Sequence, residues 1–381
     1  MTDVTIWLDN QGRSPSARWG GRPPQPPAKV VKRRQSTRLA KMRAREREDR
    51  MALGKTFGAW ALGAASILLC STLSAAAADK VTLLLNWYNY GEHAPFYLGI
   101  EKGYFPAEGI ELSVEEGRGS GATVQAVAAG SATFGYADFG TMVKAAVKGA
   151  PIKAVGIMLQ KSPMAAQGFA DKNIRTPKDM IGKTVVYTPG DSFSQLWPAL
   201  LKVNGIQDGQ VKVITGDAAT KRNAVISGQA DFLLGNVNDQ KPLIEEATGK
   251  PVYAMLFADF GVNTVNGSVI VRPDLLEKNP DLAKRFLRAL QKSIAEAKSN
   301  PQAAVDAMLK VNPKAGKRET LLASWTVTLP LLHTALTEQK PPLWTDPKDI
   351  SGTLDILSKY SGVDLDPAQG AKFYTNDFLP N

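Results

Sequence analysis

Asn86, Trp87 and Tyr88 form an unbroken triplet, and His93 follows within the same short stretch. Two aromatic faces can stack on a flat ring, a carboxamide can donate and accept, and a neutral imidazole can do either. Trp87 could instead anchor a core, and a lone histidine is often structural. Asp138 and Thr141 offer an acceptor and a hydroxyl three residues apart, a spacing that also suits a helix cap. Tyr187, Thr188, Gly190, Asp191 and Ser192 form a third polar stretch. Asn236, Asn238, Asp239, Asn263, Thr264 and Asn266 add groups that are also common at plain turns. The chemistry on offer is stacking and hydrogen bonding, which is recognition rather than bond breaking. No Ser-His-Asp order and no defensible pair of catalytic carboxylates is present, so no catalytic residue is assigned. The chain has two histidines, His93 and His333, and one cysteine, Cys70. That composition gives no case for a metal site, and no cofactor is assigned. The glycine-rich run Gly117–Thr123 lacks both the P-loop ending and the dinucleotide spacing. Its N–H groups could hold an anion or a carbonyl, or it could be a plain helix start.

Positioning such groups takes a rigid frame, and the chain supplies a repeated one. Lys80–Asn86 is a continuous β-rich run, the mark of a buried parallel strand. Helical and strand patterns then alternate. Helices are expected over His93–Lys102, Ser120–Ala129 and Thr141–Lys148, and strands over Ile110–Glu115, Thr133–Tyr136 and Ile152–Leu159. A break is expected near 163–172. Strands at Lys183–Thr188, Val211–Thr215, Ala230–Leu234 and Val252–Phe257 then alternate with helices at Ser194–Val203, Ala218–Ser227 and Gln240–Thr248. Strand character returns at Gly267–Arg272, and two helices follow over Pro280–Ser299 and Gln302–Val311. Two rounds of alternation imply two α/β lobes. The expected division is 79–165 with 266–381 for the first lobe and 166–265 for the second. Ligands in such sheets bind beyond the carboxyl ends of strands, which selects the loops after Leu85, Tyr136, Thr188 and Leu234.

The net charge of +10 does not belong to this frame. Residues 1–78 carry 14 of the 46 Lys and Arg and 5 of the 36 Asp and Glu, leaving 32 basic and 31 acidic residues beyond them. Nothing in that balance calls for nucleic acid. Lys55, an uncharged run from Thr56 to Ala78, and small residues at Ala76 and Ala78 read as a secretory signal over 51–78. Signal peptidase would then cut between Ala78 and Asp79. A membrane anchor, or a lipid on Cys70, is the alternative; Leu69 before the cysteine suits a lipid poorly. Residues 1–50, with Pro23, Pro24, Pro26 and Pro27 before a basic run, read as a disordered extension or as an over-called start upstream of Met51. After cleavage the chain would hold no thiol, which suits an oxidising compartment.

The segment LLLNWYNYGEHAPFYLGIEKGYFPAEGIEL (83–112) resembles the opening of the nitrate/sulfonate/taurine-type periplasmic binding proteins. The nearest branch is the one shared with thiamine pyrimidine-precursor synthases and precursor-binding proteins. The resemblance continues through 130–155, 182–195, 227–235 and 269–290. It implies a type II periplasmic-binding-protein fold, two lobes on a hinge, export to the periplasm, and partnership with an ABC permease and its ATPase. It also implies capture of a pyrimidine-like molecule. A binder of sulfonate or nitrate is the alternative within the class; a pyrimidine-precursor synthase is the alternative outside it. The lysine and histidine of the synthases fall at Ala137 and Thr141, and their cysteine-rich run falls on FGVNTVNGSVIV (260–271), which has no cysteine. The expectation is therefore a binding protein and not an enzyme.

Overall fold

The structure, a computed structural model, describes residues 77–380. The basic extension and almost all of the expected signal segment lie outside the described residues. The strands are β1 (Asp79–Leu84), β2 (Ile110–Glu115), β3 (Phe134–Ala137), β4 (Lys153–Leu159), β5 (Met164–Phe169), β6 (Thr184–Tyr187), β7 (Lys212–Thr215), β8 (Phe232–Asn236), β9 (Val252–Leu256) and β10 (Asn266–Val271). The helices between them are α1 (Ala94–Glu101), α2 (Tyr104–Ala107), α3 (Ser120–Ala128), α4 (Phe139–Val147), α5 (Ser192–Val203), α6 (Ala218–Ile226) and α7 (Gln240–Thr248). After β10 come α8 (Pro273–Lys278), α9 (Pro280–Ser299), α10 (Pro301–Val311), α11 (Arg318–Thr328) and α12 (Pro347–Tyr360).

Two five-stranded sheets share one plan. The first runs β2-β1-β3-β10-β4 and the second β7-β6-β8-β5-β9. In each, the fourth strand is antiparallel to both neighbours, while the first three are parallel. That antiparallel strand is the one reached by crossing: β5 enters the second sheet directly after β4, and β10 returns the chain to the first. Central strands β3, β8 and β10 are buried along their whole length, as strands covered on both faces must be. Edge strand β7 is exposed throughout, with Lys212 at its start, a charge that discourages edge pairing.

The alternation expected from sequence corresponds to these elements with boundary shifts of a residue or two, apart from the break near 163–172. That stretch contains β5. Its sequence, MAAQGF, offers no β-branched residue and no alternation, so its strand character comes from pairing with β8 and β9 on either side. The 3-10 turn Gly91–His93 ahead of α1, the helix α11 and the helix α12 were also not separated by the sequence patterns. Helix α12 packs Ile350, Leu354 and Leu357 into a core that also takes Phe139 from the first lobe and Trp197 from the second. On α11, fully buried Trp325 donates to the Ala297 carbonyl at 2.8 Å, fixing α11 against α9. The C-terminal helices therefore bind both lobes together.

Candidate ligand-binding cleft

The loop after β1 runs between the two lobes. Gly91 makes its path possible: a Cβ there would sit 2.2 Å from the Leu321 carbonyl oxygen and 2.5 Å from the Trp325 nitrogen. With no side chain, Gly91 N–H donates to Ser324 Oγ at 3.0 Å, and the loop lies flat on α11. Gly117 plays the same part from below, because a Cβ would meet the Leu85 carbonyl oxygen at 1.9 Å.

This loop and its counterpart in the second lobe enclose a small space. Asn86, Trp87, Tyr90 and Ser120 line it from the first lobe, and Asp191, Ser192, Phe193, Asn236 and Asp239 from the second. Its volume is about 20 Å³, room for roughly one water and too little for a ring. Three buried polar atoms on its wall have no hydrogen-bond partner among the described residues: Trp87 Nε1, Asp191 Oδ2 and Asn236 Oδ1. One is a donor and two are acceptors. Buried polar groups are normally paired, and each one left bare costs about 1–3 kcal/mol.

Behind this wall lies a lysine the sequence reading did not single out. Lys221 is 1% exposed; its ammonium donates to the Leu234 carbonyl at 3.0 Å and lies 3.9 Å from Asp191 Oδ2. The rings of Trp87 and Phe193 flank it at 5.2 and 5.3 Å, close enough for cation–π attraction. Burial pushes the Lys221 amine below its ordinary range, and Asp191 resists that shift. Burial likewise raises the Asp191 carboxyl, against the pull of Lys221. A signal for Lys221 existed in the sequence: on α6 it shares the buried stripe with Ala224 and Val225, three and four residues on. Tyr90 and Arg222 were also passed over, while Ser120 lies in the glycine-rich run Gly117–Thr123.

Contacts between the lobes surround the cleft. Tyr88 Oη donates to Asp239 Oδ1 at 2.6 Å, and Gln240 Nε2 donates to Tyr88 Oη at 2.9 Å. Asn238 Nδ2 donates to Glu92 Oε2 at 2.7 Å, while Tyr136 Oη holds the other Glu92 oxygen at 2.7 Å. Glu246 on α7 pairs with Lys317 at 2.7 Å and accepts from Thr320 on α11. Burial raises the carboxyls of Glu92 and Asp239, most strongly opposed by Tyr136 at Glu92 and by Tyr88 at Asp239.

The remaining residues singled out from sequence are spread around this centre. His93 is wholly buried behind Asn86, its Nε2 3.0 Å from Asn86 Oδ1. With the amide oxygen as acceptor, the ring must donate from Nε2, which leaves Nδ1 a bare acceptor. Burial holds its pKa down at about 3, so the ring is neutral. Asp138 caps α4: its Oδ1 accepts from Thr141 N–H and Oγ, both at 2.7 Å, and its own N–H donates to Ser120 Oγ. Burial raises its carboxyl. Thr141 lines a groove on the outer side, where Gln195 Nε2 donates to it at 3.3 Å. Tyr187 packs half-buried against the main core, and Tyr88 lines a neighbouring chamber. Asn263 and Asn266 sit at the return crossing: Asn263 Oδ1 accepts from Ser162 N–H at 3.3 Å, and Asn266 Oδ1 from Gly267 N–H at 2.7 Å. Of the residues named from sequence, the cleft gathers Asn86, Trp87, Asp191, Ser192, Asn236 and Asp239.

A family profile described as NMT1/THI5 like matches residues 90–304. The chain belongs to this family. Among curated relatives, a 4-amino-5-hydroxymethyl-2-methylpyrimidine phosphate synthase from Legionella pneumophila is 26% identical over 80% of this chain and 93% of its own. The riboflavin-binding protein RibY from Chloroflexus aurantiacus is 26% identical over 79% of this chain and 86% of its own. A formylaminopyrimidine-binding protein from Halalkalibacterium halodurans is 24% identical over 63% of this chain and 74% of its own. Among solved structures, the alkanesulfonate-binding protein SsuA from Xanthomonas axonopodis matches with a TM-score of 0.60 at 14% identity, over 79% of this chain and 99% of that one. The fold here is therefore the periplasmic-binding-protein fold. The family's members in this comparison include both binders and a synthase. Among the described residues no helix is long and apolar enough to cross a membrane, and no group of three or more His, Cys, Asp or Glu residues gathers.

Proposed function

We propose that this protein is the extracytoplasmic capture subunit of an ABC importer. It binds a small pyrimidine-like heterocycle between its lobes, and the closed form docks on a permease with its ATPase. One observation carries the reading: one small space is lined from both lobes by Trp87, Asp191 and Asn236, whose Nε1, Oδ2 and Oδ1 atoms are buried without a hydrogen-bond partner. They ask for a ligand edge with two donors and one acceptor, the pattern an aminopyrimidine presents. Trp87 adds a face on which the ring stacks. A sulfonate or nitrate suits these groups poorly, since two of the three atoms, Asp191 Oδ2 and Asn236 Oδ1, are acceptors and would face its oxygens. The names of the riboflavin- and formylaminopyrimidine-binding relatives support a heterocycle. The lobes divide at 79–163 with 266–381 against 164–265, two residues ahead of the boundary expected from sequence because β5 starts at Met164, and export through cleavage after Ala78 delivers the chain to the periplasm.

The synthase reading draws on the Legionella relative. The residues at its implied cofactor position do not fit pyridoxal phosphate: Ala137 has no amine, and the Thr141 hydroxyl is bonded to Asp138. The segment 260–271 offers no thiolate.

A thermal-shift titration with aminopyrimidines, purines, sulfonates and nitrate tests the proposal. A ligand at about a hundredfold over its Kd stabilises by roughly 2.7 kcal/mol. A shift with an aminopyrimidine that disappears in Trp87→Ala supports the reading. A shift with sulfonates alone replaces the ligand class.

A further inference from the structure

A second, larger chamber opens beside the cleft and shares Tyr90 and Asp239 with it. Its volume is about 280 Å³, close to the lower end of small-molecule sites. Most of its wall is apolar, from Ala218, Leu243 and Leu321; the charged residues on it are Arg222, Lys317 and Asp239. The Arg222 guanidinium is half-buried and has neither a hydrogen bond nor an ion pair among the described residues. The contrast with the other described arginines is informative. Arg175, Arg272, Arg285, Arg288 and Arg318 each hold a carboxylate or a carbonyl, and Arg118 is exposed to water. Lys317, at the chamber's edge, is already committed to Glu246. Both oxygens of Asp239 are taken by Tyr88 and Gln240, so neither turns to Arg222. A planar, permanently charged donor facing an apolar chamber is suited to a carboxylate or phosphate, which it can hold through two parallel bonds.

We infer that the captured heterocycle carries an acidic arm, a phosphate or carboxylate substituent, and that the chamber receives it with Arg222 as its partner. This rests on the reading of the adjoining cleft as a heterocycle site. The ring sits against Trp87, and the arm passes Tyr90 and Asp239 into the chamber. Arg222 lies on α6 beside Lys221, so one helix turn presents one cation to the inner cleft and one to the chamber.

Calorimetric titration of the purified full chain with 4-amino-5-hydroxymethyl-2-methylpyrimidine, its phosphate monoester and a carboxymethyl analogue tests the inference. The phosphate ester is expected to bind at least tenfold tighter than the alcohol, with the advantage shrinking as salt is raised. In Arg222→Gln the ratio should fall to about one, and Arg222→Lys should restore part of it. The carboxylate analogue tells which acid the chamber prefers. If the alcohol binds and the ester gains nothing, the arm is overturned while the ring site stands. If Arg222→Gln weakens alcohol and ester equally, Arg222 does not read the arm and the inference fails. If none of the compounds binds, both readings fail together.

Discussion

Replacing Lys221 by methionine removes one charge from the buried cleft while keeping most of the stem's packing. Lys221 and Asp191 are 3.9 Å apart, with side chains only 1% and 4% exposed. At an effective dielectric of about 20, that separation corresponds to roughly 4 kcal/mol of attraction. The Leu234 carbonyl also loses its donor from Lys221, worth about 1–3 kcal/mol. These losses do not simply add, because the stranded carboxyl can take up a proton. The expected destabilisation at pH 7.5 is about 3–5 kcal/mol, the usual cost of breaking a buried pair from one side. The pH dependence follows from the direction of the shift. Burial already raises the folded Asp191 carboxyl above its unfolded value, and losing Lys221 raises it further. The folded variant then binds a proton that the unfolded chain does not, so its stability improves as pH falls and the deficit against the parent shrinks by pH 5. Urea denaturation at both pH values measures this. The double variant Lys221→Met/Asp191→Asn should be less impaired than the sum of its parts, with a coupling of about 2 kcal/mol or more. A deficit below about 1 kcal/mol, or one that does not change with pH, would refute a charged buried pair here.

Other expectations follow from single contacts. Trp87→Ala should abolish the thermal shift given by a heterocycle while the free protein unfolds near the parental midpoint, since the ring borders the cleft. Gly91→Ala should destabilise by several kcal/mol in urea, because the added methyl meets the backbone of α11 at 2.2 and 2.5 Å. For His93, burial depresses the folded pKa to about 3 from an unfolded 6.5, so its contribution is intact above 6.5 and declines as pH falls toward 3. The slope is up to about 1.4 kcal/mol per pH unit, and it should vanish from the denaturation profile in His93→Gln. Raised carboxyls such as Glu92 and Asp138 act in the opposite sense, so the test is the difference between the two proteins.

The fold was legible in the sequence because its signals are local. Runs such as KVTLLL and KTVVYT announce buried parallel strands, and glycines end the helices between them. Strand β5 was not legible, since MAAQGF becomes a strand only through two neighbours drawn from 65 or more residues away. The site divides along the same line. Trp87 and Asn236 follow directly from the rule that ligands bind at strand ends. His93 and Asp138 obey it too, yet one supports Asn86 from behind and the other caps α4. Lys221 and Arg222 sit on a helix rather than at a strand end, and only the meeting of the lobes brings one beside Trp87 and the other to the chamber wall. Helix α11 walls the neighbouring chamber, although nothing in RETLLASWTVT distinguishes it from a packing helix.

The unpartnered atoms also account for why closure would need a ligand. In the proposed closure, Trp87 Nε1 and Asn236 Oδ1 lose water without replacement, while Asp191 Oδ2 keeps only the Lys221 ammonium at 3.9 Å. At about 1–3 kcal/mol each, the two neutral groups oppose closure by a few kcal/mol. The contacts across the cleft, Tyr88 with Asp239, Asn238 with Glu92 and Lys317 with Glu246, favour closure by an amount of similar order. Under the proposed hinge mechanism, two opposed quantities of comparable size would leave the open and closed forms close in free energy. A ligand that pairs the three atoms removes the opposition only in the closed form, and such differential affinity is what shifts a two-state equilibrium. On the proposed capture reading, polar groups left bare at the centre and satisfied at the rim would make closure conditional on cargo, so that only the loaded form engages the membrane.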